Sequence, residues 1–367
     1  MIALEIIGVM LLLSQNLLLG ILLKTNFKSY SKGKGRDFPS ITILVSCRNE
    51  AINLPRCLEA LEAVDYPENK LQIIVGDDNS TDQTASILKS WVEGKSYAEF
   101  YSVEENRGPK KMNGKANALS QMIKKATGSL LLFTDADCKV PSTWATIMVS
   151  AALNTEAGFV TGITTVKHEG RFSILQDVDW TFTLGVLKVL SDIGLSVTSM
   201  GNNMLISKEA YNAVGGFEGI PFSLTEDFTI ASSIQKEGFY GYHQICKENQ
   251  IETKAQPSLS SLLEQRKRWM NGAMKLPITI KILLALQALF LPLVLLLIYN
   301  YIFLGWLFWI LKWSLQSFFI YEMKKKMNQR VNLKHLIVFE IYYLFTAWAT
   351  ILYYFWPSKT NWKGRGY

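Results

Sequence analysis

The most informative stretch of the sequence is an apolar run that ends in two carboxylates. Leu130–Phe133 leads through Thr134 to Asp135 and Asp137, which are separated by one residue. Such a run is typical of a strand buried on both faces of a parallel sheet, and ligands of open α/β sheets bind where such strands end. Two adjacent carboxylates repel each other unless a cation neutralises them. Because oxygen ligands favour Mg2+ or Mn2+, we expect Asp135 and Asp137 to hold one of these ions; the alternative is a loop that happens to carry two aspartates.

A second acidic pair, Asp77 and Asp78, follows the predicted strand Leu71–Val75. Since parallel strands end at one edge of a sheet, we expect these carboxylates beside Asp135 and Asp137. A carboxylate at that edge could accept a hydrogen bond from the N–H of a nucleobase. The same residues would also serve as an ordinary turn and helix N-cap, and the two roles are compatible.

A basic, glycine-containing loop precedes the helix predicted from Ala116 to Ala126. Lys115, with Lys110 or Lys111, lies on this loop and could bind phosphates, because lysine supplies a mobile positive charge and glycine allows close approach of the backbone. The alternative is a solvated basic loop.

A third acidic cluster, Glu226 and Asp227, follows Thr225, which is well suited to cap a helix beginning there. Both carboxylates would lie in the first helical turn, where the helix dipole favours negative charge. An ionised carboxylate can accept the proton of an attacking hydroxyl, so Asp227 and Glu226 are candidate catalytic residues. Ordinary capping is the alternative.

The last candidate group lies on a helix that begins after Pro257-Ser258. Gln265, Arg268 and Trp269 are spaced i, i+3, i+4 and share one face, where the guanidinium could stabilise a departing nucleoside diphosphate. Arg266 and Lys267 are expected to face lipid headgroups. A generic basic amphipathic helix is the alternative.

These residues require a scaffold, and the pattern between residues 38 and 256 supplies one. Strands alternate with helices, which predicts an α/β domain with a mostly parallel sheet and helices on both faces. The half after Pro141 is less regular, with a long amphipathic helix between two further strands. The predicted strands cover residues 41–47, 71–75, 98–103, 130–134, 159–166 and 197–206.

Apolar segments flank this domain. Residues 1–24 form an apolar stretch followed by basic residues, which indicates an uncleaved anchor with the downstream domain in the cytoplasm. Residues 276–356 contain two or three further spans, and 257–275 form an interfacial helix. Three full spans would put the basic tail, 357–367, outside; one re-entrant or interfacial segment would keep it inside. The sequence leaves both topologies open.

Composition bears on two further questions: whether the protein binds nucleic acid, and whether its cysteines bind zinc or form disulfides. The net charge of +7 is explained by lysines and arginines beside the apolar segments, so a nucleic-acid partner is not indicated. The four cysteines have no C-x-x-C spacing and no nearby histidine, which predicts reduced thiols rather than zinc ligands or disulfides.

Taken in order, six motifs resemble those of the membrane-bound family-2 glycosyltransferases, which include cellulose, chitin and hyaluronan synthases and ceramide glucosyltransferases. The resemblance covers roughly residues 41–272. Asn79 stands where the family often has glycine, and asparagine tolerates the left-handed backbone. The motifs are Cys47-Arg-Asn-Glu50, Asp77-Asp-Asn-Ser80, Gly114-Lys115, Asp135-Ala-Asp137, Thr225-Glu-Asp227 and Gln265-x-x-Arg268-Trp269.

The resemblance implies a GT-A fold and inverting transfer from a nucleotide sugar, usually a UDP-sugar. It places Asp77 or Asp78 at the base, Glu50 near the ribose and Lys115 along the nucleotide. It assigns the metal to Asp137 with Asp135, and the general base to Asp227. The resemblance places Gln265, Arg268 and Trp269 at the diphosphate and at the acceptor entrance.

The acceptor is the least determined part of this interpretation. A channel for a growing polymer is usually enclosed by more membrane spans than the four at most available here. We therefore expect a lipid or lipid-linked acceptor at the plasma membrane. A polysaccharide synthase is the second hypothesis and a non-catalytic membrane scaffold the third. The terminal Trp362–Tyr367 also looks like the basic cytosolic end of some lipid glycosyltransferases.

Overall fold

The computed structural model describes residues 2–31, 38–106, 112–195 and 198–366. The chain divides into two compact units. The α/β unit comprises Lys28–Lys167, Leu190–Lys254 and Asn361–Tyr367. The membrane unit comprises the N-terminal residues up to Phe27, together with His168–Val189 and Ala255–Thr360. The basic residues Lys32, Lys34, Arg36, Lys110 and Lys111 lie outside the described part of the chain.

The α/β unit is built on a seven-stranded sheet with the order β3-β2-β1-β4-β7-β5-β8. Strands β1 to β4 run parallel to one another, whereas β7 is antiparallel to its neighbours β4 and β5. Two short two-stranded sheets, β6-β9 and β10-β11, accompany it. The strands are β1 (Ile41–Cys47), β2 (Leu71–Asp77), β3 (Ala98–Ser102), β4 (Leu130–Asp135), β5 (Phe159–Thr161), β6 (Ile163–Val166), β7 (Asn203–Ser207), β8 (Gly241–His243), β9 (Gln250–Thr253), β10 (Asn361–Trp362) and β11 (Arg365–Gly366).

Helices connect these strands and carry the apolar segments. They are α1 (Ile2–Thr25), α2 (Leu54–Glu62), α3 (Thr84–Val92), α4 (Gly114–Ile123), α5 (Trp144–Thr155), α6 (Arg171–Asp192), α7 (Lys208–Ala213), α8 (Gly216–Gly219), α9 (Glu226–Lys236), α10 (Leu259–Ala273), α11 (Ile278–Asn300), α12 (Ile302–Lys326) and α13 (Leu333–Phe355).

Alternate residues of the central strands pack into separate cores, which confirms the predicted α/β sheet covered on both faces. Ile43 and Leu132 pack against residues of α2 and α5, whereas Leu44 and Phe133 pack against residues of α4 and α9. A strand buried on both faces must be apolar at every position, and this is why the run before Asp135 is unbroken.

The second half of the sheet departs from the sequence prediction. Residues 159–166 form two strands rather than one, because the chain leaves the main sheet at Gly162, where an added Cβ would lie 2.2 Å from Asn203 Oδ1. The strand predicted over 197–206 is confined to β7, and Val197 lies outside the described residues.

Four helices of the described chain are long and apolar enough to cross a membrane. They cover Glu5–Thr25, Ile278–Asn300, Ile302–Lys326 and Leu333–Phe355, and they include the anchor and the three C-terminal segments predicted from sequence. These helices make the protein a membrane protein.

The expectation that Arg266 and Lys267 face lipid headgroups is wrong. Arg266 forms an ion pair with Asp179 of α6, and Lys267 is 5% exposed. The Lys267 ammonium donates hydrogen bonds to the carbonyl oxygens of Trp356 and Ser358, at 3.0 and 2.9 Å. Both cations are therefore satisfied inside the membrane unit, because α10 packs against other helices on more than one face.

Candidate functional site

The strand register brings the predicted acids to one edge of the sheet. Asp77, the last residue of β2, pairs with Cys47 of β1, and Asp135, the last residue of β4, pairs with Ser46. Because β1 lies between β2 and β4, both acidic segments begin at the same level of the carboxyl edge. The chain supplies further groups there from α4 and α9, which start at this edge.

Lys115 lies between carboxylates from two elements. Its ammonium forms an ion pair with Asp135 and lies 3.8 Å from Glu226 Oε1. Burial would lower the pKa of Lys115, but Asp135 and Glu226, with Asp227, outweigh it, so its pKa is raised above the usual value. Lys115 is therefore a fixed positive charge among acids.

Asp137, unlike Lys115, has close neighbours that carry its own sign of charge. Burial raises the pKa of its carboxyl, and the negative charges of Asp135 and Glu50 raise it further. Lys254 gives partial compensation, with its Nζ 3.9 Å from Asp137 Oδ2 and 3.6 Å from Glu50 Oε2. This end of the site therefore carries excess negative charge that an added cation would relieve.

Asp227 is held by backbone donors. Its Oδ2 accepts a hydrogen bond from Gly201 N–H, and its Oδ1 accepts one from Phe228 N–H, both at 2.8 Å. A Cβ added at Gly201 would lie 3.1 Å from Asp227 Oδ2 and 3.3 Å from Lys115 Nζ. Asp227 and Lys115 therefore both approach this glycine closely, and each Asp227 oxygen keeps a lone pair for another partner.

The N-terminus of α9 differs from the prediction in one respect. Thr225 occupies the N-cap position, but its side chain makes no capping hydrogen bond. Its hydroxyl lies 3.2 Å from the Ser223 hydroxyl instead. Glu226 and Asp227 lie in the first turn as expected. The start of α9 therefore lacks the side-chain cap that the sequence predicted.

The C-terminal hairpin β10-β11 contacts the other acidic residues. Arg365 forms two hydrogen bonds with the Asp78 carboxylate, at 2.6 and 3.0 Å, and Lys363 Nζ lies 2.8 Å from Glu50 Oε1. Arg48 donates to the Asp78 carbonyl oxygen at 2.7 Å. Glu50 and Asp78 are each 4% exposed, so these cations neutralise buried charge.

Two backbone features allow this arrangement. The turn residues Lys363 and Gly364 have φ of 46° and 77°, which suits the tight turn of a two-residue hairpin. A Cβ at Gly114 would lie 1.7 Å from Arg365 Nη1, so only glycine leaves room there for the guanidinium. Asn79 has φ of 55°, as expected for a residue that replaces glycine.

The remaining sequence candidates differ in their surroundings. Asp77 is 7% exposed, and its Oδ2 accepts a hydrogen bond from Ser80 N–H at 3.3 Å. Gln265, Arg268 and Trp269 lie on α10 in the membrane unit, where Trp269 packs edge-on against Trp180 with ring centroids 5.4 Å apart. Among the described residues, no three histidine, cysteine or acidic side chains are grouped as a complete metal site.

Sequence reasoning gave no site role to several residues that touch the candidate groups. The Lys363-Gly364 dipeptide between two short pairs of residues is a local signal for the hairpin. Nothing local indicated which residues the hairpin would contact, because more than 280 residues separate Arg365 from Asp78. These residues include Arg48, Asn113, Gly201, Lys254, Lys363 and Arg365.

Comparison with known proteins agrees with this architecture. A mannosyltransferase of Pyrobaculum calidifontis, solved in complex with GDP-Man and Mn2+, superposes with a TM-score of 0.61 at 16% identity, covering 97% of each chain. The fold is therefore GT-A-like, the class of α/β domain found in glycosyltransferases. A sequence model of glycosyl transferase family 21 matches residues 9–367, and the chain belongs to this family.

Among curated relatives are two poly-β-1,6-N-acetyl-D-glucosamine synthases. The Staphylococcus epidermidis protein is 25% identical over 247 residues, which are 66% of this chain and 56% of the relative. The Staphylococcus aureus protein is 27% identical over 242 residues, 64% of this chain and 55% of the relative. The chain therefore spans about half the length of these relatives.

Replacing Lys115 by methionine tests its role as the compensating charge. Without the ammonium, Asp135 and Glu226 lose a cationic partner, and we expect a stability loss on the order of 1–3 kcal/mol near pH 8. Removing the ammonium leaves two partly or fully buried carboxylates facing each other, so the loss should be present where both are ionised and should diminish in acid, where carboxylates bind protons. Thermal melting at several pH values measures this effect.

Lys124→Met is the matched control on the turn after α4. Lys124 pairs with Glu218, and its side chain is 65% exposed, so its removal should change stability by less than about 1 kcal/mol at any pH. A pH-independent loss in Lys115→Met equal to that in the control would contradict the charge-compensation account.

Proposed function

We propose that this protein is an inverting, divalent-metal-dependent glycosyltransferase that moves a sugar from a nucleotide sugar to a lipid or lipid-linked acceptor. The observation that supports this most directly is the convergence of Lys115, Asp135, Glu226 and Asp227 at the carboxyl edge of a GT-A-like sheet. Membership of glycosyl transferase family 21 supports the class of reaction.

Asp227 is the proposed general base. Its backbone hydrogen bonds hold both carboxylate oxygens in fixed directions, so a free lone pair can point at an acceptor hydroxyl. Asp227 takes the hydroxyl proton as the acceptor oxygen bonds to the anomeric carbon. The bond from that carbon to the donor's phosphate oxygen breaks, and the nucleoside diphosphate leaves with the electron pair. Because the oxygen attacks opposite the leaving group, the anomeric configuration inverts.

Asp137 and Asp135 are the proposed metal ligands. The raised pKa of Asp137 fits this role, because it reflects negative charge that a cation would offset. Two carboxylates suffice for Mg2+ or Mn2+, which commonly complete their coordination with water and substrate phosphates. The Mn2+ in the mannosyltransferase structure is consistent with this. When bound, the ion would neutralise charge on the departing diphosphate.

Other residues are assigned to the donor. We propose that Asp77 or Asp78 faces the base, Glu50 the ribose and Lys115 the phosphates. Gln265, Arg268 and Trp269 are proposed to bind the diphosphate and cover the acceptor. A UDP-sugar is the first donor to test, and a GDP-sugar the second, since GDP-Man is bound in the mannosyltransferase structure.

A polysaccharide synthase is the second candidate, and the names of the staphylococcal relatives favour it. Against it stands the number of apolar helices, which is four in the described chain, because a polymer needs a walled channel through the bilayer. A lipid acceptor needs only an opening from the membrane. A scaffold without catalysis is the third candidate, and loss of Asp227 would leave it functional.

The first test is turnover of radiolabelled UDP- and GDP-sugars by the membrane-embedded protein with Mn2+. We expect label in an organic extract, and Asp227→Asn should reduce it at least about 100-fold, since general-base catalysis contributes ~10²–10⁴. Glu237→Gln, an exposed change at the other end of α9, is the matched control.

Label in an insoluble or high-mass aqueous fraction would instead identify a polymer synthase. Equal label from wild type and Asp227→Asn would exclude Asp227 as the base. If the protein turns over none of the donors, both enzymatic hypotheses fail and the non-catalytic scaffold remains.

Metal binding can be tested without activity. Mn2+ with UDP should raise the melting temperature, since a ligand at about 100 times its Kd stabilises by about 2.7 kcal/mol. Asp137→Asn should abolish the part of the shift that depends on Mn2+, whereas Glu93→Gln on the surface should retain it. An undiminished shift in Asp137→Asn would exclude this residue as a ligand.

The tail contacts bear on the topology that the sequence left open. Lys363 and Arg365 bond to Glu50 and Asp78, and these contacts support our proposal that the tail stays on the same side of the membrane as the α/β unit. Residues 255–360 must then cross an even number of times, although they contain three long apolar helices. We therefore propose that one of α11–α13 does not span.

Helix α13 is the one we assign to the interface. Its middle and the residue after its end contact the polar helix α10: Arg266 donates to the Tyr342 hydroxyl at 3.4 Å, and Lys267 donates to the Trp356 carbonyl oxygen at 3.0 Å. A helix that follows an amphipathic neighbour in this way is suited to lie at the membrane surface. The positive-inside rule puts the α/β unit and the tail in the cytoplasm.

Cysteine labelling in oriented vesicles checks this topology. We expect Lys359→Cys to react with an impermeant maleimide from the same side as Glu237→Cys in the α/β unit. Tyr299→Cys, in the last turn of α11, should react from the opposite side. Labelling of Lys359→Cys with Tyr299→Cys would mean that all three helices cross.

A further inference from the structure

Asn113 connects the two helices that carry the central charges. It is 1% exposed and precedes α4, where its Oδ1 accepts a hydrogen bond from Ala116 N–H at 2.8 Å. Its amide Nδ2 donates to the Ser223 carbonyl oxygen and to Glu226 Oε2, both at 2.8 Å. One buried side chain therefore caps α4 and binds both the loop before α9 and its first residue.

This bond changes the role open to Glu226. Its Oε2 is engaged by Asn113, and its Oε1 faces Lys115 at 3.8 Å. The carboxylate is 5% exposed and is held from the α4 side through both oxygens. A group held in this way is poorly placed to take a proton from substrate, so Glu226 serves better as an anchor for the start of α9.

The anchored turn is the one that carries Asp227. Asp227 directly follows Glu226, and its carboxylate lies against Gly201 together with the Lys115 ammonium. Fixing Glu226 to α4 therefore fixes the distance between the proposed base and the proposed phosphate-binding lysine. A displacement of about 1 Å in such a pair can cost about 100-fold in rate.

Asparagine is the side chain that can make all three bonds. Aspartate or serine would also cap α4, but neither has an amide group to donate to Ser223 and Glu226. Glutamine has the amide but is one methylene too long for the cap geometry. The residue type at position 113 is thus explained by its bonds to the α9 segment and not by capping alone.

We propose that Asn113 and Glu226 form a positioning pair that holds the general base Asp227 against Lys115. This inference rests on the proposed glycosyltransferase function, and it assigns Glu226 to positioning rather than to proton transfer. Neither residue need contact the donor, so their effect should fall on the chemical step.

A reciprocal exchange tests the pair in the full-length, membrane-embedded protein. Asn113→Asp keeps the cap but sets a carboxylate against Glu226, and we expect kcat to fall at least about tenfold with the donor KM within about twofold. Adding Glu226→Gln restores a hydrogen bond of reversed direction, with glutamine as donor. The double variant should regain most of the lost kcat.

Asn117→Asp is the matched control on the next turn of α4. Asn117 is buried and donates to the Glu104 carbonyl oxygen at 2.9 Å, so this change adds the same charge to the same helix away from Glu226. It should retain wild-type kcat even where thermal melting shows lower stability. Asn113→Ser, which caps without donating, gives a second variant if Asn113→Asp does not fold.

The outcomes separate this inference from the function it rests on. Wild-type turnover with unchanged kcat in folded Asn113→Asp or Asn113→Ser would overturn the positioning pair and leave the glycosyltransferase intact. A double variant no better than the poorer single variant, or a change confined to donor KM, would also overturn it. Absence of turnover by wild type with every UDP- and GDP-sugar tested would overturn the function and the pair together.

Discussion

The compensation of crowded carboxylates is the constraint on which the α/β unit depends. Parallel strands that end at one edge bring acids from separate motifs close together, and burial makes each uncompensated charge costly. Lys115 meets the acids of β4 and α9, while Lys363 and Arg365 meet those that follow β1 and β2. The α/β unit can therefore hold an acidic site, because the C-terminal hairpin places two cations beside its carboxylates.

Backbone geometry sets where these charges meet. Gly201 leaves space for Asp227 and Lys115, and Gly114 leaves space for Arg365. Asn113 uses both N–H groups of its amide and its carbonyl oxygen to join α4 to the α9 segment. The site is thus a set of side chains on rigid strand and helix ends, and it is braced by close approaches that larger residues would prevent.

In the membrane unit, too, buried side chains of opposite charge pair with one another. Lys312 and Glu340 form a buried pair with a closest approach of 2.7 Å, and Trp309 donates to Glu340 at 3.2 Å. Removal of one member of such a pair leaves a buried charge and costs about 3–5 kcal/mol. Arg266 and Lys267 show that a basic helix beside a membrane need not present its cations to lipid.

Local sequence was enough to determine the α/β class, the membrane helices and the edge of the sheet at which the acids lie. The reason is that these features follow from unbroken apolar runs and from the fixed direction of parallel strands. The left-handed backbone at Asn79 was also predictable, because few residue types tolerate it. The spacing of the motifs is enough to bring Asp77, Asp135 and Lys115 to one edge of the sheet.

Only the tertiary structure decided which charges meet. The cations that pair with Asp78 and Glu50, and the asparagine that binds Glu226, lie more than 100 residues away along the chain, and no local pattern encodes such a distance. The antiparallel β7 and the break at Gly162 depend in the same way on neighbouring strands and on Asn203. Sequence periodicity reports how a segment is buried, whereas the choice of partner is made by packing of the whole chain.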